Sequence, residues 1–180
     1  MKKPKTEGPP PLESLTRQDY LAATFLSALT LVVYAFTAAP GVTLADSADF
    51  INGVLTLGIV HPPGYPLYTL LGHLFSFLPF GDPAFRVNLF SALWGSLCLG
   101  ILFLILRILS IERILAAFAA LFLGFTTVFW SKTGTAEVYS FNGFLIASIV
   151  FCILSYNRDK KKSQLYLLFL MTGLALANHY

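Results

Sequence analysis

Residues 20–39 contain no charged side chain, and apolar runs of similar length recur at 87–109, 114–130 and 139–156. A fifth begins at Leu165 and is still apolar at Ala177. Each of the first four matches the roughly 17–25 residues needed to cross the hydrocarbon of a bilayer. Inside hydrocarbon a backbone must satisfy its own polar groups, and only a helix does so within one segment. The sequence therefore predicts an all-α, polytopic transmembrane bundle of about five spans. Composition agrees: 56% of the chain is hydrophobic and 12% charged, against about 25% charged in soluble domains. A water-soluble fold of this size could not cover that apolar surface.

Orientation follows from the cations. With the N-terminus in the cytoplasm, the inside segments hold Lys2, Lys3, Lys5, Arg17, Arg107, Arg113, Arg158, Lys160, Lys161 and Lys162; the outer loops hold only Arg86 and Lys132. Ten against two satisfies the positive-inside rule at every loop. The net charge of +3 is thus a topology pattern and not a nucleic-acid signal. Residues 1–19 read as a disordered cytoplasmic tail rich in Pro, Gly, Lys and Glu, with Ser14 or Thr16 placed to cap the first helix. The competing reading, a cleaved signal peptide ending at Ala39 or Ala45, needs an unusually long apolar core and leader. Cys98 and Cys152 lie inside apolar runs without ligand spacing and read as small hydrophobes.

The first outer loop, residues 40–86, is long. Its middle, 65–78, is apolar but too short to span, which predicts an interfacial or re-entrant helix opened by Pro66 and closed by Pro79, Gly81 and Pro83. The loops on this side carry Asp46, Asp49, His61, Asp82, Arg86, Lys132 and Glu137. A helix over 46–54 would put Asp46 and Asp49 on one face, and two close carboxylates push one pKa up toward general-base use. The plainer alternative is an N-cap followed by a first-turn acid. HPPGYP, residues 61–66, is a stiff turn that holds His61 and Tyr65. Arg86 and Lys132 either grip a phosphate or anchor at the interface. Glu137 is either a second site carboxylate or a helix-start acid. Asn178 lies about 20 Å along the fifth run, and with His179 is a polar pair inside a span, which by default marks function. No metal-ligand spacing is present; Asp46, His61 and Glu137 leave room for a divalent ion.

Three strings taken together, LADSADFINGVLTLGIVHPPGYPLYTLLGHLFSFLPFGDPAFRVNLFSAL, FWSKTGTAEVYSFN and GLALANHY, resemble a domain shared by bacterial multi-pass membrane proteins and a eukaryotic multi-pass protein O-mannosyltransferase. That family is placed with the GT-C class of membrane glycosyltransferases. The resemblance covers residues 20–180. It implies transfer of a sugar, such as mannose, from a polyprenyl-phosphate carrier to a protein or glycan acceptor outside the cytoplasm, with inversion. It implies that an acid in the first outer loop acts as base or orienter. Asp46 matches the first acid of the family's DSGEF-like string, and Asp49 stands where Glu is more usual. His61, Arg86, Glu137, Asn178 and His179 match its other polar positions. On this basis Asp46, Asp49 and Glu137 are the expected catalytic residues. His61, Tyr65, Arg86, Lys132, Asn178 and His179 are the expected substrate contacts. The expected setting is a bacterial inner membrane. GT-C enzymes have more than five spans, so residues 20–180 are expected to be the N-terminal part of a longer transmembrane domain. A transporter is the first rival, but it would carry charges deep in several spans. A scaffold subunit is the second.

Overall fold

The computed structural model describes residues 12–178. Among them the secondary structure is entirely helical: α1 (Arg17–Thr37), α2 (Ser47–Thr56), α3 (Pro66–Ser76), α4 (Pro83–Ile108), α5 (Arg113–Gly124), α6 (Thr127–Thr133), α7 (Val138–Asp159) and α8 (Lys162–Asn178). Helices α1, α4 and α7 are each long and apolar enough to cross a membrane, and α5 with α6 makes a fourth if the bent pair is one span. At 26 residues α4 is about 39 Å long and forms the central post, packed by both α1 and α7. The fifth expected span is α8, 17 described residues hairpinned against α7.

The helices alternate in direction, so the bundle has two chemically distinct ends. At one end α1 starts at a capping box: Thr16 caps the helix and the Asp19 carboxylate accepts from the Thr16 N–H. Asp19 is fully buried and pairs with Arg107 at 2.9 Å and Arg113 at 3.1 Å. The Glu13 N–H donates to the Ile108 carbonyl, and Arg158 donates to the Glu13 carbonyl. Arg107, Arg113 and Arg158 thus converge on one end. Residues 17–19, expected at the end of the tail, instead form the first turn of α1, because the Thr16–Asp19 box and the two arginines order them. The tail's residues 1–11 lie outside the described residues.

The third run departs from expectation. Residues 114–130 are not one straight helix: α5 and α6 meet at a 69° bend. Gly124 ends α5, and the Thr126 hydroxyl accepts from the Phe129 N–H to start α6. A break in hydrocarbon frees backbone groups that need partners. The Tyr34 hydroxyl supplies one, donating to the Gly124 carbonyl at 2.9 Å. Small residues let the helices close in: a Cβ on Gly100 would run into Ser27 of α1, and one on Gly95 into Thr133 of α6. Large apolar side chains such as Phe25, Phe118 and Phe122 remain exposed on α1 and α5, and Phe36 is 88% exposed. Such a surface suits lipid and not water.

Candidate active site at the loop end of the bundle

The first outer loop folds into two short helices that cap the end opposite Asp19. α2 and α3 pack on each other and on α4 around Phe50, Val54, Val60, Tyr68, Val87 and Phe90. Pro66 opens α3 at its first position, as expected. The exposed Leu70, Leu74 and Phe77 give α3 an apolar outer face, consistent with an interfacial helix. His73, unremarked in the sequence, ties α3 to α2 through a 2.7 Å bond between its ring Nδ1 and the Val54 carbonyl.

Two buried polar side chains in α4 hold the loops in register. Asn88 donates to the carbonyls of Ala39 at 2.8 Å and Gly41 at 2.9 Å, while its carbonyl accepts from the Ala136 N–H at 2.8 Å. One amide thus joins the exit of α1, the body of α4 and the loop before α7. Ser91 brackets Glu137: its hydroxyl donates to the Glu137 carbonyl and accepts from the Glu137 N–H. Since that proton is spent, the Tyr68 hydroxyl must be the donor in its 2.8 Å bond to Ser91. Ala39 N–H also donates to the Gly134 carbonyl. Residues 39–41, 65–69 and 132–139 therefore meet over the end of α4.

The site residues sort into distinct groups. Asp49 does not pair with Asp46. Its Oδ2 accepts from the His61 backbone N–H at 2.9 Å and bonds the His61 Nδ1 at 2.8 Å. Those two hydrogen bonds, the backbone one foremost, hold the Asp49 carboxyl below the usual carboxylate range. The carboxylate pairing that would raise one of the two pKa values is not formed at Asp49, which stands in the first turn of α2 with a donor, and not a second carboxylate, as its neighbour. An ionised Asp49 makes Nδ1 the protonated ring nitrogen of His61 and leaves Nε2 as the acceptor when the ring is neutral. His61 in turn packs edge-on against Phe50 and Tyr65 at 5.4 Å. The HPPG turn is closed by the Gly64 N–H donating to the His61 carbonyl, with Pro62–Pro63 cis. Gly64 and Tyr65 both lie at positive φ, a conformation costly for tyrosine, and this aims Tyr65 back over the bundle end.

Asp46 takes the N-cap position of α2, yet its side chain caps nothing. The residue is exposed, and its carboxylate makes no hydrogen bond among the described residues. It acts electrostatically on Tyr65 and Lys132. Glu137 is the N-cap residue of α7, 3% exposed, and its Oε1 accepts from Lys132 Nζ at 2.9 Å while Oε2 is buried without a partner among the described residues. Lys132 also sits 5.2 Å above the Tyr139 ring. Burial first, then Tyr139, Asp46 and Glu137, push the Tyr65 phenol up from its ordinary pKa. Asp46, Tyr65, Lys132, Glu137 and Tyr139 thus form one cluster, with Asp49–His61 joined to it through the His61–Tyr65 contact. Beside it runs a mainly apolar cleft of about 340 Å³, lined by Val128, Phe129, Lys132, Tyr139 and Ser140.

Arg86 is bonded elsewhere. It donates to the Leu78 carbonyl and so closes the loop after α3. Asn178 is 1% exposed at the end of α8, and both its amide atoms lack a hydrogen-bond partner among the described residues. His179 lies outside the described residues. Among the described residues no three His, Cys, Asp or Glu side chains gather into a metal-ligand set. The sequence reading missed Asn88, Ser91 and Tyr68 as positioning residues. The available signal was Asn88 itself, a polar interruption of an apolar span.

The fold and this polar end together define a multi-pass helical membrane protein with an acid–lysine–histidine site beneath its longest loop. Residues 46–180 match the family described as the protein O-mannosyl-transferase TMEM260 N-terminal domain. The chain belongs to that family. It is 37% identical over 106 residues to mouse protein O-mannosyl-transferase TMEM260, an alignment that covers 58% of this chain and 15% of the relative. It is 27% identical over 130 residues to the Dictyostelium discoideum protein O-mannosyl-transferase tmem260, covering 71% of this chain and 16% of that relative. The chain thus spans under a fifth of the length of these curated relatives. No solved structure matches it.

Proposed function

We propose that this chain forms the catalytic front of a membrane glycosyltransferase of the GT-C type. It would pass a sugar, with mannose the first candidate, from a polyprenyl-phosphate carrier to a protein Ser or Thr hydroxyl on the non-cytoplasmic side. The observation that carries the reading is the contrast among the carboxylates. Glu137 is clamped by Lys132 and Asp49 by His61, whereas the Asp46 side chain is exposed and has no hydrogen bond among the described residues. A base must be able to reach the proton it takes, and Asp46 meets that condition. In this reading Asp46 removes the acceptor hydroxyl proton. The freed oxygen attacks the anomeric carbon as the carbon–oxygen bond to the lipid phosphate breaks, inverting the centre.

Lys132 has three N–H donors and spends one on Glu137. The others face a site where leaving phosphate charge is stabilised, and the adjoining apolar cleft suits the lipid that carries it. Glu137 holds Lys132 in place. Asp49 sets the orientation of His61, and His61 with Tyr65 forms the wall against which the sugar or acceptor packs. Asn178, with an unpartnered amide, and Arg86 are assigned to substrate contacts at the margin. A divalent ion is not required by this scheme. The family relationship supports the reading, since both relatives are named protein O-mannosyl-transferases.

The test is Asp46→Asn in the full-length protein, assayed with a mannosyl-phosphate polyprenol and a Ser/Thr acceptor peptide. Loss of a general base lowers transfer by about 100-fold or more, with the thermal midpoint unchanged because the side chain makes no bond. Transfer retained at the parent rate removes Asp46 from the mechanism.

A further inference from the structure

At the opposite end of the bundle a second polar cavity, of about 420 Å³, opens between the start of α1, the end of α7 and the start of α8. The proposed transfer chemistry makes no use of it. Its wall includes Ser155, 3% exposed, whose hydroxyl has no partner among the described residues. Gln164 presents a second orphan. Its amide nitrogen donates to Asp159 at 2.8 Å, and a carboxylate only accepts, so the amide orientation is settled and the buried Oε1 is an acceptor without a partner among the described residues. Buried polar atoms without partners are costly and call for a ligand or water.

The charge in this cavity is positive. Arg158 and Asp159 cancel in a bidentate pair of 2.7 and 2.8 Å. With its Nη1 bond to Glu13, Arg158 spends three of its five N–H donors and keeps two. Lys161 also lines the cavity, and its ammonium has no hydrogen bond among the described residues. The inner wall is apolar, with Phe151 and Leu167. A fitting ligand must accept from a serine hydroxyl, an arginine and a lysine, donate to one carbonyl oxygen, and extend an apolar tail.

We propose that this cavity binds an anionic glycerophospholipid with a hydroxyl-bearing headgroup, of the phosphatidylglycerol kind. The phosphodiester meets Ser155, Arg158 and Lys161, a headgroup hydroxyl donates to Gln164, and the acyl chains leave over Phe151 and Leu167. Basic pockets between transmembrane helices are suited to such headgroups. The chemistry is that of a phosphodiester, and the tail distinguishes a lipid from a soluble ester.

Native mass spectrometry of the full-length protein, delipidated and titrated with phosphatidylglycerol, phosphatidylcholine or soluble glycerophosphoglycerol, tests this. Phosphatidylglycerol should be retained above both of the others. Lys161→Glu and Ser155→Ala should each lower its retention by about fivefold, whereas Lys162→Glu, in the same basic run but outside the cavity wall, should lower it less. Ser155→Ala should leave the lipid-free thermal midpoint unchanged or higher, since no bond is lost. Equal retention of the two lipids overturns the proposal, as does a Lys162→Glu effect as large as that of Lys161→Glu. Retention of the soluble ester equal to that of the lipid overturns the lipid assignment.

Discussion

Asn88 shows how one side chain can hold a site that it does not enter. It satisfies three backbone groups from two loops, those after α1 and before α7, in a buried setting. Replacing it with Ala leaves those groups without partners, at about 1–3 kcal/mol for each that water cannot reach. Asn88→Ala should therefore lower the thermal midpoint in detergent substantially. Asn88→Asp should restore little, because a carboxylate cannot donate to Ala39 and Gly41. Asp49 gives a pH-dependent counterpart. Its carboxyl is held below its ordinary value by His61, so its contribution is present above the unfolded aspartate value and is lost as pH falls through the folded one. Hydrogen exchange across residues 58–65 should accelerate in that acidic window, and Asp49→Asn should flatten the dependence. The candidate site was half legible here. Asp46, Glu137 and Lys132 stand out as charges in an apolar chain, but which carboxylate is paired depends on the return of the HPPG turn, twelve residues after Asp49.

The helices show where periodicity and length mislead. Residues 65–78 are too short to span, and α3 forms as a short helix on that account. Residues 114–130 are long enough to span, yet break at Gly124–Thr126. The Thr that caps α6 is a visible start signal, but an uninterrupted apolar run carries no information about direction. The bend survives because Tyr34, ninety residues away, donates to the freed Gly124 carbonyl. Tyr34→Phe keeps the ring and removes that bond. It should cost about 1 kcal/mol, the usual size of such bonds in membranes, read as a lower thermal midpoint with an intact helical signal in circular dichroism.

The bundle separates its chemistry by end. Asp19, Arg107, Arg113 and Arg158 gather at one, and Asp46, Tyr65, Lys132 and Glu137 at the other. The proposed orientation, from the positive-inside rule, has the first end in the cytoplasm. Single-cysteine labelling tests this against the alternatives. Asp46→Cys and Thr135→Cys should react with an impermeant maleimide from the same non-cytoplasmic side, and Lys161→Cys only after permeabilisation. Cys98 and Cys152 are buried and should stay silent. Labelling of positions 46 and 135 from opposite sides would sink the shared-site reading. The expectation of a bacterial membrane has no support from the relatives named here, which are eukaryotic.

The number and length of the apolar runs, the basic bias and the short loop helix follow from local composition, because hydrocarbon thickness and backbone hydrogen bonding act on each segment separately. The pairing of Asp49 with His61, the clamp of Lys132 on Glu137, the Asn88 bridge and the bend before α6 do not. Asp49 and His61 are twelve residues apart, Asn88 reaches segments more than forty residues away and Tyr34 lies ninety from Gly124, while Lys132 and Glu137, only five apart, face each other across a turn that Ser91 of α4 holds. Each needs helices packed side by side to bring its atoms within bonding distance, which no segment's own length or composition can specify.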